Sequence, residues 1–489
     1  MTDENRNVKL NKLQDFAVNR ILQGHNVVLQ GAAGTGKSYV IKHCVDVFKQ
    51  RNISAYVTAT TGIACCMYKN AMTIHKWSGI GDGRFELNQI RSIVDHNVKF
   101  QDVKNRIMCT DVLFIDECSM MSAQFLECLN EVCKIKNSEK PFGGIQVVLT
   151  GDFLQLPPVP NYMYNDSGLF CFESKIFTSL FSHKITLKEV VRQKDATFID
   201  IIQQVSVGNV TDEAERFLQG LSRPLSSTSN SVKLFSMNKQ VDSYNCDCIL
   251  KAKGESIAED EGERKHLSKV LTPRILWLKV DVPVILLKNL SDNFVSGLRE
   301  EETGISNSKP VITFPTIQKT IPLDKASFTD KYFHPFLQLI SYILNETCLY
   351  ILNRIKQLKY FFSIIVFDPR QNRDIALRRQ FPIKLAYGIT IHKAQGMTIE
   401  SLEVDCRGIF KPGQLGVALG RACTSEGLRV INFKKKVCIK QPAIVLKFLQ
   451  EESSEFLQDT SCCRTKRYIK IKQINIPSVE DYGWLVLLV

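Results

Sequence analysis

At 489 residues the chain is longer than one ordinary domain, so roughly two to four domains are expected, and a hydrophobic fraction of 44% is enough for proper cores. A net charge of +13 points to a polyanionic partner, nucleic acid first. The 16 cysteines include no C-x-x-C pair, which argues against a zinc module and favours reduced thiols in an intracellular compartment. The polar, acid-containing start from Met1 to Asn7 reads as neither a secretory signal nor an Arg/Ser-rich mitochondrial presequence.

In chain order, apolar runs at 27–30, 55–59, 112–115 and 146–150 alternate with helical stretches, the pattern of a parallel sheet covered on both faces. A second set is expected at 232–236, 283–287, 383–387, 401–405 and 428–433, with a charged, helix-like stretch at 252–269. The distribution predicts an α/β protein with two nucleotide-fold domains, the second split by an insertion. One segment does not fit. Residues 332–367 are rich in Ile, Leu, Phe and Tyr but are broken by Asn345, Glu346, Asn353, Arg354 and Lys356, which argues against a membrane-spanning helix of about 20 apolar residues. Phe336, Ile340, Ile343, Leu344, Ile351, Leu352, Ile355 and Leu358 suit an amphipathic helix instead.

Gly31, Ala32, Ala33, Gly34, Thr35, Gly36, Lys37 and Ser38 fit the phosphate-binding pattern G-x-x-x-x-G-K-[S/T], set between an expected strand and an expected helix. Glycines let consecutive N–H groups converge on one anion, and the helix start adds positive potential. Lys37 is expected to reach the β- and γ-phosphates of a nucleoside triphosphate, and Ser38 to place its hydroxyl on Mg²⁺. Asp116 and Glu117 end the strand at 112–115. Asp116 is expected to hold Mg²⁺ and Glu117 to polarise the attacking water. Gln155, in Gly151-Asp152-Phe153-Leu154-Gln155-Leu156-Pro157-Pro158, is placed to sense the γ-phosphate.

With these strings come Thr58-Ala59-Thr60-Thr61-Gly62-Ile63-Ala64, Thr73-Ile74-His75-Lys76-Trp77-Ser78-Gly79-Ile80-Gly81, and Pro141-Phe142-Gly143-Gly144-Ile145-Gln146. Further on stand Val191-Arg192-Gln193, Ile391-His392-Lys393-Ala394-Gln395-Gly396-Met397-Thr398 and Val417-Ala418-Leu419-Gly420-Arg421-Ala422. In this order the motifs resemble the petite-integration-frequency (Pif) family of superfamily 1B helicases over about residues 10–300 and 370–435. The resemblance implies two RecA-like P-loop NTPase domains with parallel sheets. The first would span 1–190, with a short wedge insertion near 80–107. The second would span 191–290 and 370–440, interrupted by an SH3-like β-barrel at 291–369 and followed by a tail at 441–489.

The resemblance further implies that Gln14 reads the adenine and that Arg192 and Arg421 reach the γ-phosphate from across the cleft. It implies DNA contacts at Thr60, His75, Trp77, His392, Lys393, Gln414, Arg421 and Arg429. Departures are Gly420 where the family has Ser, Gly416 where it has an aromatic residue, and Glu300 where a glycine closes the turn into the barrel. The activity implied is an ATP- and Mg²⁺-dependent 5′→3′ DNA helicase, a monomer without a membrane partner, acting on single-stranded and forked DNA. G-quadruplexes, RNA–DNA hybrids and telomerase are further implied partners, in telomere maintenance, repair and recombination in the nucleus and mitochondrion. The alternatives are a RecD-like or transposon-borne helicase, and an ATP-regulated DNA-binding protein that does not unwind.

Overall fold

The computed structural model describes residues 10–225 except 82–86, 88 and 97, then 231–251, and 373–450 except 382. Between these last two stretches it describes residues 282 and 323, Val366–Asp368 and the short strands named below.

The first body is a six-stranded parallel sheet. Its strands are β1 (Val27–Gly31), β2 (Ala55–Ala59), β3 (Met72–Thr73), β4 (Val112–Asp116), β5 (Gln146–Gly151) and β6 (His183–Leu187), in the order β3-β2-β4-β5-β1-β6. The strands β1, β4 and β5 are buried along their whole length, as expected where helices cover both faces. Alternation then sorts their side chains. Leu113, Ile115, Val147 and Leu149 pack with Trp77, Ile107 and Phe153 on one face, while Val112, Phe114 and Val148 meet Val40 and Phe48 on the other. The strands end in register, Gln30 beside Gly151 and Ala59 beside Asp116, so the loops that follow open on one edge.

Two helices fix that edge. Helix α1 (Lys12–Leu22) buries Gln14, Ala17, Val18 and Ile21, one stripe at helical spacing, and starts with a capping box between Asn11 and Gln14. Helix α2 (Lys37–Gln50) begins at the end of the glycine loop and buries Val40, Ile41, Cys44 and Phe48.

A second body has a four-stranded parallel sheet, ordered Gly388–Thr390, β7 (Val232–Phe235), Leu402–Asp405, Leu428–Ile431. Leu234, Val404 and Val430 from this sheet share a core with Phe198, Ile201 and Val205 of the helix Ala196–Val207. Between β7 and Gly388 lies an antiparallel insert. Its larger sheet runs Lys319–Pro322, Lys309–Phe314, Arg299–Ser306, Pro283–Leu286, Ile383–Leu385. In a smaller sheet Arg373–Gln380 pairs with Ala326–Ser327, Val366–Asp368 and Glu259–Gly262, and Ser256–Ile257 pairs separately with Leu276–Trp277.

These pairings correct three expectations. The runs at 283–287 and 383–387 belong to the antiparallel insert, not the second parallel sheet, because a short apolar run reads the same in either setting. The charged stretch at 252–269 carries the short strands Ser256–Ile257 and Glu259–Gly262 where helix was expected. The insert therefore begins before residue 291, and the second parallel sheet resumes at Gly388 rather than near 370. The anomalous segment 332–367 lies outside the described residues except for Val366 and Phe367.

The start of the expected tail is also built into the structure. Gln441 Nε2 donates to the Leu154 carbonyl at 2.8 Å and the Ser206 carbonyl at 2.7 Å, bridging the two bodies. The helix Ala443–Gln450 then returns to the first body, where Phe448 stacks on Phe172 with centroids 4.2 Å apart and meets Phe153 edge-on at 5.2 Å. Lys184 donates to the Phe448 carbonyl and lies 4.4 Å from its ring centroid. Phe448→Ala is expected to cost about 3–5 kcal/mol through the cavity it leaves, read as a lowered urea midpoint. An unchanged midpoint would show that this helix does not hold the first body. Among the described residues no helix is long and apolar enough to cross a membrane.

Candidate nucleotide and nucleic-acid cleft

The glycine loop closes onto α2 through two positions that need glycine. Gly34 has φ +85° and Gly36 φ +86°; a Cβ at Gly34 would lie 2.5 Å from the Cβ of Arg192, and one at Gly36 2.5 Å from Gln14 Nε2. Lys37 Nζ donates to the carbonyls of Gly31 at 2.6 Å and Ala32 at 3.0 Å, which holds its charge over the loop. The Gln14 amide braces the loop from behind. Its Nε2 donates to the Thr35 carbonyl at 3.2 Å, and its Oε1 accepts from Asn11 N at 3.1 Å. Both ends of the side chain expected to read adenine are thus engaged within the protein.

Asp116 is held from several sides. Oδ1 accepts from Thr150 Oγ1 at 2.6 Å and from Glu117 N at 2.9 Å, while Oδ2 accepts from the Tyr68 hydroxyl. Burial drives the Tyr68 phenol far above its ordinary value, with Asp116 adding to the shift and a hydrogen bond with the Ser38 side chain opposing it. Ser38 and Asp116 line the same cavity. A hydroxyl and a carboxylate brought together there are hard oxygen donors of the kind Mg²⁺ takes beside nucleotide phosphates.

Glu117 has φ +55°, an uncommon conformation for a residue with a side chain. Its carbonyl accepts from Thr60 Oγ1 at 2.9 Å, and its carboxylate accepts from Gln395 Nε2 of the second body at 3.0 Å. Burial and the neighbouring Asp116 raise its pKa; Lys37, Gln395 and Arg421 oppose the rise. Gln155 Nε2 donates to Asp152 Oδ2 at 3.0 Å, and the side chain lies on the cleft wall.

The far wall comes from the second body. Arg421 is only 2% exposed; Nε donates to the Val417 carbonyl at 3.0 Å and Nη1 to the Met397 carbonyl at 3.3 Å. Burial and the nearby Arg192 push its pKa down to about 10, so it stays a cation at neutral pH. Arg192 Nη1 donates to the Gly420 carbonyl at 3.1 Å, and burial lowers its pKa as well. Lys37, Ser38, Asp116, Glu117, Gln155, Arg192 and Arg421 face one cavity of ≈ 300 Å³.

The expected DNA contacts divide. Thr60 and His75 share a neighbouring cavity of ≈ 350 Å³ with Phe125, Pro158 and Val159, and the His75 ring lies 4.8 Å from that of Phe125. His392 and Lys393 are partly exposed on the short helix Ile391–Ala394. Burial, with Lys384 beside it, brings Lys393 down to about 8; burial and Lys411 lower His392.

Three assignments need correction. Trp77 is fully buried in the core of the first body, so its ring is not open to a base. Gln414 is fully buried too, its Oε1 accepting from Phe410 N at 3.1 Å, and it shapes a loop. Arg421 lies inside the nucleotide cleft, which leaves it no surface for DNA. Arg429 is a third exposed beside Glu403 at 2.7 Å and the Ser222 carbonyl at 3.2 Å, which leaves its expected DNA contact open. Tyr68, Thr150 and Gln395 were missed. Gln395 carried a signal in its place inside the 391–398 string, and Thr150 in its place at the polar end of the 146–150 strand; Tyr68 carried none.

A family model described as PIF1-like helicase matches residues 2–216. The ATP-dependent DNA helicase PIF1 of Xenopus laevis is 31% identical over 93% of this chain and 66% of its own length. The ATP-dependent DNA helicase RRM3 of Saccharomyces cerevisiae is 30% identical over 87% of this chain and 65% of its own. The chain thus spans slightly less than two thirds of these relatives. The crystal structure of Pif1 helicase from Candida albicans superposes with TM-score 0.74 at 28% identity, covering 91% of this chain and 99% of that one. Bacteroides Pif1, in complex with ADP-AlF3 and ssDNA, shares the fold with TM-score 0.73 at 23% identity, covering 92% and 99%.

Proposed function

The chain belongs to the PIF1-like helicase family, and from its cleft we propose that it is an ATP- and Mg²⁺-dependent DNA helicase that moves 5′→3′ along single strands. The observation that carries this is the composition of the cleft: Lys37, Asp116 and Glu117 come from one body, Arg421 from the other. Lys37 and the loop N–H groups bind the phosphates. Ser38 and Asp116 fit a magnesium ion, which when bound would neutralise charge on the β- and γ-phosphates. Thr150, Glu117 N and Tyr68 hold the Asp116 carboxylate in place for that role. Glu117 takes the proton of the attacking water, and Arg192 and Arg421 stabilise charge on the transferring phosphoryl group. Since the two walls sit on separate sheets, each round of hydrolysis opens and closes the cleft, and that motion advances the DNA.

The DNA track in this reading passes Thr60 and His75 on the first body and His392 and Lys393 on the second. The Bacteroides Pif1 bound to ssDNA, and a solved structure described as two coordinating Pif1 helicases at forked dsDNA, support these substrates, and the antiparallel insert, read as an SH3-like barrel, would assist strand separation. The family resemblance alone supports extending the substrates to G-quadruplexes and RNA–DNA hybrids. It alone also supports telomere maintenance, repair and recombination in the nucleus, with a mitochondrial role.

The test is ATP hydrolysis by the purified chain with and without single-stranded DNA. Strong stimulation in the wild type, lost in Lys37→Ala, is expected, and a wild-type rate indifferent to DNA overturns the reading. Affinity for the strand should also fall steeply with salt. Each phosphate neutralised by a lysine or arginine steepens the slope of log K against log salt by about 0.7. A flat response would contradict a track built on Lys393 and its neighbours.

A further inference from the structure

Glu117 is clamped by groups from both bodies, and the clamp runs to residues on the DNA track. Its main chain is in the left-handed region, its carbonyl accepts from Thr60 Oγ1 at 2.9 Å, and its carboxylate accepts from Gln395 Nε2 at 3.0 Å. Thr60 lines the cavity shared with His75. Gln395 is 1% exposed and follows His392 and Lys393 by three and two residues at the end of the same short helix. The contact is close along its length, since a Cβ on Gly396 would lie 3.8 Å from the Cα of Ala64 in the first body.

We propose that Gln395 is a positioning residue for Glu117, and that Thr60 and Gln395 together transmit strand engagement to the water-activating carboxylate. Lys37 and Arg421 both attract the Glu117 carboxylate, and either cation could draw it into an ion pair and away from the attacking water. A neutral amide fixes the carboxylate's direction by a hydrogen bond without adding a third cation. Because that amide belongs to the second body, the carboxylate is aimed only while the bodies are in register, which is the state a strand spanning Thr60 and Lys393 favours. The left-handed backbone of Glu117 serves the same end, as such conformations persist where surrounding contacts over-determine them.

This inference rests on the helicase reading, and the test separates the two. Gln395→Met keeps the volume and removes the donor; Gln395→Glu keeps the shape and replaces the donor with an acceptor; Thr60→Val removes the hydroxyl at equal size. ATP turnover is measured against ATP and single-stranded DNA concentration, after thermal unfolding confirms that each variant is folded. The expected result is kcat at saturating DNA down by about tenfold for both Gln395 variants. The KM for ATP and the Kd for DNA should stay within about twofold of wild type. Thr60→Val should lower the stimulation by DNA in the same way. A folded Gln395 variant with wild-type kcat overturns the inference while leaving the helicase reading intact. So does a parallel loss in KM and Kd, which marks a merely structural tie. Absence of DNA stimulation in the wild type defeats both.

Discussion

Arg421→Ala is expected to lower ATP turnover at saturating DNA by on the order of 10³, the scale set by arginines that reach a transferring phosphoryl group from outside the phosphate loop. The geometry supports an effect of that size. The guanidinium is almost fully buried, is held by the Val417 and Met397 carbonyls, and shares the cavity with Glu117 and Arg192. Its pKa, lowered to about 10, leaves it charged at pH 7, so the alanine variant removes a full charge from a poorly solvated site. Arg421→Lys should rescue little, because an ammonium cannot hold both carbonyls and still present a planar fork to phosphate. Arg192, anchored on the Gly420 carbonyl at 3.1 Å, should lose part of its positioning as well. Single-turnover hydrolysis reads the effect directly, and a rate within about tenfold of wild type would remove Arg421 from the phosphate.

Glu117→Gln is the second large effect. Nucleotide binding should be retained, because Lys37, Ser38 and the loop amides are untouched, while turnover falls at least about tenfold with the general base gone. The amide is nearly isosteric and relieves the repulsion from Asp116, so the variant should be at least as stable as wild type. A fluorescent nucleotide titration alongside steady-state hydrolysis separates the two quantities. Normal turnover would place the base elsewhere.

The cleft was legible where chemistry dictates a local string. The phosphate loop, Asp116 and Glu117 follow from the chemistry of their strings, Arg192 and Arg421 from the family resemblance alone, and all line one cavity. The nucleic-acid contacts were harder, since lying inside a motif does not decide which way a side chain points. In Ile74–Ser78 the ring of Trp77 turns into the core with Ile74 while His75 stays partly exposed, and a helix this short offers little period to read. Gln414 looked like a polar contact and proved to be a loop anchor beneath Phe410. Tyr68 and Gln395 act across the fold, 48 and 278 residues from their partners Asp116 and Glu117, a separation no local pattern encodes. The same limit hid the return of Ala443–Gln450 to the first body, because its aromatic pocket is assembled from Phe153, Phe170, Phe172 and Phe177.

The central claim is that hydrolysis in a cleft shared by two bodies drives strand separation in one direction. The direct measurement is ATP-dependent unwinding of duplexes that carry a single-stranded tail at either the 5′ or the 3′ end, with wild type and Lys37→Ala in parallel. The account predicts displacement from the 5′-tailed duplex alone, abolished in Lys37→Ala. Unwinding only from the 3′ tail, or DNA-stimulated hydrolysis with no unwinding of either substrate, would contradict it.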